Sequence, residues 1–201
     1  MSGKNTLKKW ESALLLAMCA ALFAGVWASA ASGRIASQLV RLHVIADSDE
    51  AVEQEIKLEV RDAVLAYLEP KLSGASDSGQ AAEIIRDNLS GIGSAAEAVS
   101  RGREVNVELS GEYYPTREYE TFSLPAGQYL SLRVTLGEGN GHNWWCVVFP
   151  PLCLTAAETE AAFEQLDGST RSVIAEEEGG VCFKFRILEL WGELAHFLGL
   201  D

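Results

Sequence analysis

The chain has 201 residues, 48% of them hydrophobic and 22% charged, which fits one folded domain of ordinary size rather than a disordered polypeptide. Its formal net charge is −13. Such acidity argues against nucleic acid or an anionic lipid surface as a partner, because both would repel it.

The N-terminus stands apart from the rest. Lys4, Lys8 and Lys9 precede an uncharged run from Ser12 to Gly33. Positive charge, an apolar stretch and then small residues is the order of a secretory signal. Ala28-Ser29-Ala30 supplies the small-x-small site, so cleavage is expected after Ala30. An uncleaved anchor is the alternative, since the run is about long enough to cross a bilayer. Cations before the run and few just after it place the C-terminal part outside the cytoplasm. Without residues 1–30 the remainder carries a formal charge of −15. The expected organisation is a signal peptide or membrane anchor over 1–30 and a single exported domain over 35–201.

Residues 39–46 alternate as a strand, with Val40, Leu42 and Val44 on one side and Arg41 and His43 on the other. A helix is predicted next. Asp47 or Asp49 caps its start, Val52, Ile56, Val60, Val64 and Tyr67-Leu68 form its buried stripe, Glu53 and Lys57 pair on its wet face, and Pro70 ends it. A loop over 73–79 leads to a second helix, roughly Gln80–Leu89. Ser90-Gly91-Ile92-Gly93 breaks that helix, and a third follows over 94–101. The period then changes to two along Val105, Val107 and Leu109, along 118–124, and along Leu130, Leu132, Val134 and Leu136. Residues 137–141, GEGNG, read as a hairpin loop with NWWCVVF as the returning strand. A short helix over 156–166, a strand-like segment over 181–185 and a closing helix complete the reading. The predicted fold is α+β, a mostly antiparallel sheet with helices packed on one face.

Several chemistries fail on spacing. GEGNG precedes an apolar strand, whereas a phosphate loop must open a helix. DSDE lacks the Gly and Glu that a calcium loop needs at its sixth and twelfth positions, which here are Val52 and Leu58. Cysteine catalysis needs a base within reach of a thiolate. His142 and Cys146 on one strand lie roughly 13 Å apart, too far for a hydrogen bond. C-x6-C is not the short ligand pair of structural zinc sites. No metal or cofactor is expected, and no paired carboxylates stand out as acid and base. Export favours a disulfide. Cys146 with Cys153 is the expected pair, with either thiol joined to Cys182 as the alternatives; a loop so short would stabilise by about 2–3 kcal/mol. Trp144 and Trp145, adjacent on a strand, face opposite ways. Either both are buried or one faces a partner.

Two segments resemble a known family: RLHVIADSDEAVEQEIKLEVRDAVLAYL over 41–68 and PAGQYLSLRVTLGEGNGHNWWCVVFPPLC over 125–153. The second is the more specific, and KFRILELW over 184–191 is a weaker third. They are similar to the stage II sporulation protein R family of spore-forming bacteria, over about 35–191. The resemblance implies a signal rather than an enzyme. Members are made in the forespore and exported into the space between forespore and mother cell. There they trigger a membrane-embedded aspartic peptidase that cleaves pro-sigma-E. The family brings no catalytic residues. His142, Asn143 and Trp144, at the end of the expected hairpin, are the residues assigned here to the peptidase-facing surface. The alternatives are an exported envelope binding module unrelated to sporulation and an extracytoplasmic cysteine-dependent enzyme.

Overall fold

A computed structural model describes residues 9–119 and 122–152, with 166, 168 and 170. The helix expected over 156–166, the strand-like segment over 181–185, the closing helix, Cys153 and Cys182 lie outside the described residues.

The apolar N-terminal run forms α1 (Lys9–Ser37), a helix of 29 residues. At 1.5 Å per residue such a helix is about 44 Å long, more than the ~30 Å hydrocarbon core of a bilayer. Leu14, Leu16, Leu22, Phe23 and Val26 all lie exposed along it, as in a segment made for lipid or for a signal-recognition site. Ala28 and Ala30 fall inside this helix. Towards the C-terminal end of the helix, Ala31 and Ile35 are buried.

The other elements are β1 (Val40–Ile45), α2 (Ala51–Leu72), α3 (Ser78–Asp87), α4 (Leu89–Glu97), β2 (Val105–Tyr114), β3 (Arg117–Glu118), β4 (Ser123–Leu124), β5 (Gly127–Leu136) and β6 (Asn143–Phe149). Four strands form one mixed sheet in the order β2-β5-β1-β6. β1 runs parallel to β5, and the other two pairings are antiparallel. The class is α+β as the sequence predicts. Helices α2, α3 and α4 close one face over Val40, Leu42, Val44, Leu132, Val134 and Leu136. The opposite face is buried too, under the last turns of α1 and the small β3–β4 ribbon, around Ile35, Leu39, Tyr114, Leu124 and Tyr129.

The structure corrects the sequence reading in several places. β5 and β6 do not form a hairpin, because β1 lies between them. Their connection must span two strand spacings, roughly 9.6 Å, and it crosses the end of β1. Glycine suits it for two reasons. Gly137 has φ +53°, a left-handed conformation that a Cβ disfavours. A Cβ on Gly141 would sit 2.3 Å from the Ser48 carbonyl oxygen.

In α2, Val52 is 40% exposed, while Glu53 and Lys57 are buried. Each four-residue step drifts about 40° around a helix. The stripe through Val60 and Val64 therefore has Glu53 and Lys57 near its centre and Val52 well off its edge. The two do not pair on a wet face: Glu53 takes a bidentate pair from Arg103, and Lys57 turns elsewhere. Pro70 lies inside the helix, which continues to the buried Leu72. In the last turn proline forfeits one backbone bond, and burial of Leu72 offsets it. The break between α3 and α4 falls at Asn88 rather than over 90–93. Gly91 sits within α4 because a Cβ there would lie 1.9 Å from Tyr67 Oη. Its role is close packing, not helix breaking. Residues 118–124 do not form one strand: β3 and β4 pair as a two-stranded ribbon apart from the main sheet.

Candidate partner-binding surface

Asp47 and Asp49 do not cap α2. Glu50 occupies the cap position without a side-chain bond. The two carboxylates instead hold the β5–β6 connection. Asp47 Oδ1 accepts the Glu138 backbone N–H at 2.7 Å, and Asp49 Oδ1 accepts that of His142 at 2.6 Å. Backbone bonds from Asn140 to Asp47 O and from Gly141 to Ala46 O add two more ties. From below, the buried Lys57 Nζ donates to His142 O at 3.0 Å and to Gln54 Oε1 at 2.6 Å. Burial lowers the Lys57 pKa from its ordinary value, against the pull of Asp49. Four residues distant in sequence, Ala46, Asp47, Asp49 and Lys57, thus fix the backbone from Glu138 to His142, just before β6 begins.

The side chains that follow are presented outward. His142 is 77% exposed and its ring pairs with Asp49 at 2.5 Å. Asn143 is exposed. Trp144 is 37% exposed, with the Arg61 guanidinium 4.3 Å above its ring; Asp62 holds Arg61 at 2.7 Å. Trp144 lines a groove of about 710 Å³ between α2 and β6, together with the apolar Leu65, Leu72, Val148 and Phe149 and the acidic Asp62 and Glu69. An exposed indole stacked by an arginine beside an apolar groove is the composition of an interface anchor. The three residues picked from sequence are consecutive and all exposed, but alternation along β6 sets Asn143 on the face opposite Trp144. Sequence reasoning missed Asp47, Asp49 and Lys57, which hold the β5–β6 connection, and Arg61, which orients the indole. The only signal was a run of charges that also fitted local helix roles.

Trp145 faces the other way, as alternation requires. Arg117 lies 3.5 Å over its ring and the His43 ring is 5.7 Å away. This face carries a buried polar cluster. Arg41, fully buried, has Cζ 3.9 Å over the Tyr114 ring and 5.0 Å from that of Tyr129, and Nη2 donates to Tyr119 Oη at 2.5 Å. His43 Nδ1 donates to Glu112 Oε1 at 2.8 Å. Burial pushes the Tyr114, Tyr119 and Tyr129 phenols above their ordinary value, partly opposed by Arg41.

Cys146 is 4% exposed and disulfide-bonded. Cys19 is free, so the partner lies outside the described residues. Among the described residues, no three His, Cys, Asp or Glu side chains are grouped to hold a metal.

Fold and surface together define a small acidic α+β domain, joined directly to an apolar helix that fits a signal or membrane anchor, with an aromatic-walled groove fixed by a braced loop. Residues 36–159 match the family model for stage II sporulation protein R. The chain is also 36% identical over 138 residues to stage II sporulation protein R of Bacillus subtilis (strain 168), covering 66% of this chain and 62% of that protein. It belongs to the stage II sporulation protein R family. The family match contains β1 to β6 and all the described residues that line the groove, and the chain spans less than two thirds of the relative's length. No solved structure matches.

Proposed function

We propose that this protein is an exported sporulation signal that acts by binding and not by catalysis. Its partner is the membrane-embedded aspartic peptidase that processes pro-sigma-E, met across the space between forespore and mother cell. Family membership supports the sporulation role. The observation that carries the binding role is Trp144: a half-exposed indole, stacked by Arg61, at the wall of an apolar groove whose adjoining loop is tied at His142. In this reading His142, Asn143 and Trp144 form the contact, and binding shifts the peptidase toward its active state. α1 serves for export, with cleavage after Ala30 or retention as an anchor. Cys146 pairs with Cys153 and fixes the end of β6 beside the groove.

The test is a reconstitution. The full chain is co-expressed with the cognate peptidase and pro-sigma-E in a non-sporulating host, and shortening of pro-sigma-E is followed by immunoblot. Processing that requires this chain, and stops when residues 1–30 are deleted, is the expected result. No processing with a competent peptidase and an exported, folded chain would refute the proposal and leave an envelope binding module unrelated to sporulation.

A further inference from the structure

β2 is an edge strand of ten residues, Val105–Tyr114, that pairs with β5 along its whole length without a register shift. Among the described residues no strand lies against its other side. A long regular edge is a template for another chain, and native proteins blunt one with charged side chains, lysine above all, with proline or with a bulge. VNVELSGEYY has no lysine, proline or bulge, and its charges are the two glutamates, Glu108 and Glu112. It lies at the opposite edge of the sheet from β6 and the Trp144 groove.

The side chains of the strand say what would fit. Val107 and Leu109 are half-buried on the face covered by α4. Glu108 and Glu112 lie on the other face, Glu104 precedes the strand, and no cation occurs between 104 and 114. Glu108 is held on its inner side by Arg133 and stays 40% exposed. A second copy is a poor occupant. Pairing centred on Ser110 would set Glu108 and Glu112 opposite each other across the new interface, where like charges repel, between chains that each carry −13.

We infer that the outer edge of Val105–Glu112 is a strand-addition site for an extended, cation-bearing segment of another protein. Main-chain hydrogen bonds supply the affinity, apolar side chains at alternate positions lie beside Val107 and Leu109, and a Lys or Arg meets Glu108. The inference is independent of which protein the Trp144 surface meets.

The test uses the full chain in detergent micelles and three labelled ten-residue probes. One alternates Val and Lys, one alternates Val and Glu, and one is the Val-Lys peptide N-methylated at alternate residues so that one edge cannot hydrogen-bond. Binding is read by fluorescence anisotropy and its location by amide hydrogen exchange. The expected result is binding of the Val-Lys peptide alone, with exchange over 105–112 slowed at least tenfold at saturation. Glu108→Gln should weaken it about threefold, the size of one exposed ion pair. Ser110→Lys, which leaves the Arg133 pair in place, should weaken it as well. Any of four outcomes overturns the inference: no binding; equal binding of the Val-Glu or N-methylated peptide; protection elsewhere than 105–112; or protection of 105–112 without peptide as the chain self-associates.

Discussion

The two faces of the central sheet are covered by different chemistry, and the second less completely, since Glu108 and Arg133 on it stay 40% exposed. Under α2, α3 and α4 the strands present Val40, Leu42, Val44, Leu132 and Val134, all without exposed surface. Across the sheet, the same strands bury Arg41 and His43 among Tyr114, Tyr129 and Trp145. The first face is held by apolar area and by close fit. The second is held by aromatic faces over a guanidinium and by a few hydrogen bonds, with Arg41 Nε and Nη1 left without a bond. A cation can be buried this way because the tyrosine π-faces replace part of its lost hydration. The lesson is that one β-strand can close two cores, one of close-packed apolar side chains and the other built around a single buried guanidinium.

The comparison can be broken first on the apolar side. Leu132→Ala should lower stability by about 4 kcal/mol, as buried leucine truncations with little collapse do; urea unfolding of the full chain in detergent micelles measures it. A loss under about 1 kcal/mol would mean that this face is not the main core.

On the charged side, Arg41→Ala should cost about 3 kcal/mol, by opening a cavity between the tyrosines and freeing Tyr119. Arg41→Met should cost about 1 kcal/mol, since an apolar side chain of similar volume removes the charge without leaving a hole. Equal losses in the same unfolding assay would show that the charge itself, and not the volume, holds the second core.

Alkaline titration sharpens the contrast further. Burial raises the Tyr114, Tyr119 and Tyr129 phenols. Above pH 10 the unfolded chain then loses protons that the folded chain keeps, so stability falls as pH rises through that value. Lys57 acts with the opposite sign at lower pH: its lowered pKa makes stability rise between that pKa and 10.5, largely before the phenols' fall sets in. Tyr114→Phe should flatten the fall, and a profile unchanged by that substitution would contradict the assignment.

Much of the apolar face is legible in the sequence. Val40, Leu42 and Val44 alternate, as do Leu130 to Leu136, and the opposite orientation of Trp144 and Trp145 follows from a period of two. The order of strands is not legible. GEGNG has the glycines of a hairpin, and nothing local reveals that β1, almost a hundred residues earlier, slips between β5 and β6. Asp47 and Asp49 mislead for the same reason: a carboxylate just before a helix looks like a cap, but here the loop from the far end of the fold competes for it and wins. Lys57 and Glu53 mislead because charge pattern suggests a wet face, while their angular position on α2 puts them inside. Trp144 could be placed on a face by alternation, but its groove depends on how α2 packs against β6, a contact between elements some eighty residues apart.

The smallest structural change carries the central functional claim. Trp144→Ala should alter stability by about 1 kcal/mol or less, because the indole is partly exposed at the end of a strand. The decisive measurement is pro-sigma-E processing in the reconstituted host with Trp144→Ala beside the unaltered chain, both exported and folded to the same level. Loss of most processing by the variant, with urea unfolding nearly unchanged, is what the account predicts. Full processing by a folded Trp144→Ala chain would contradict the assignment of this groove as the surface that meets the peptidase.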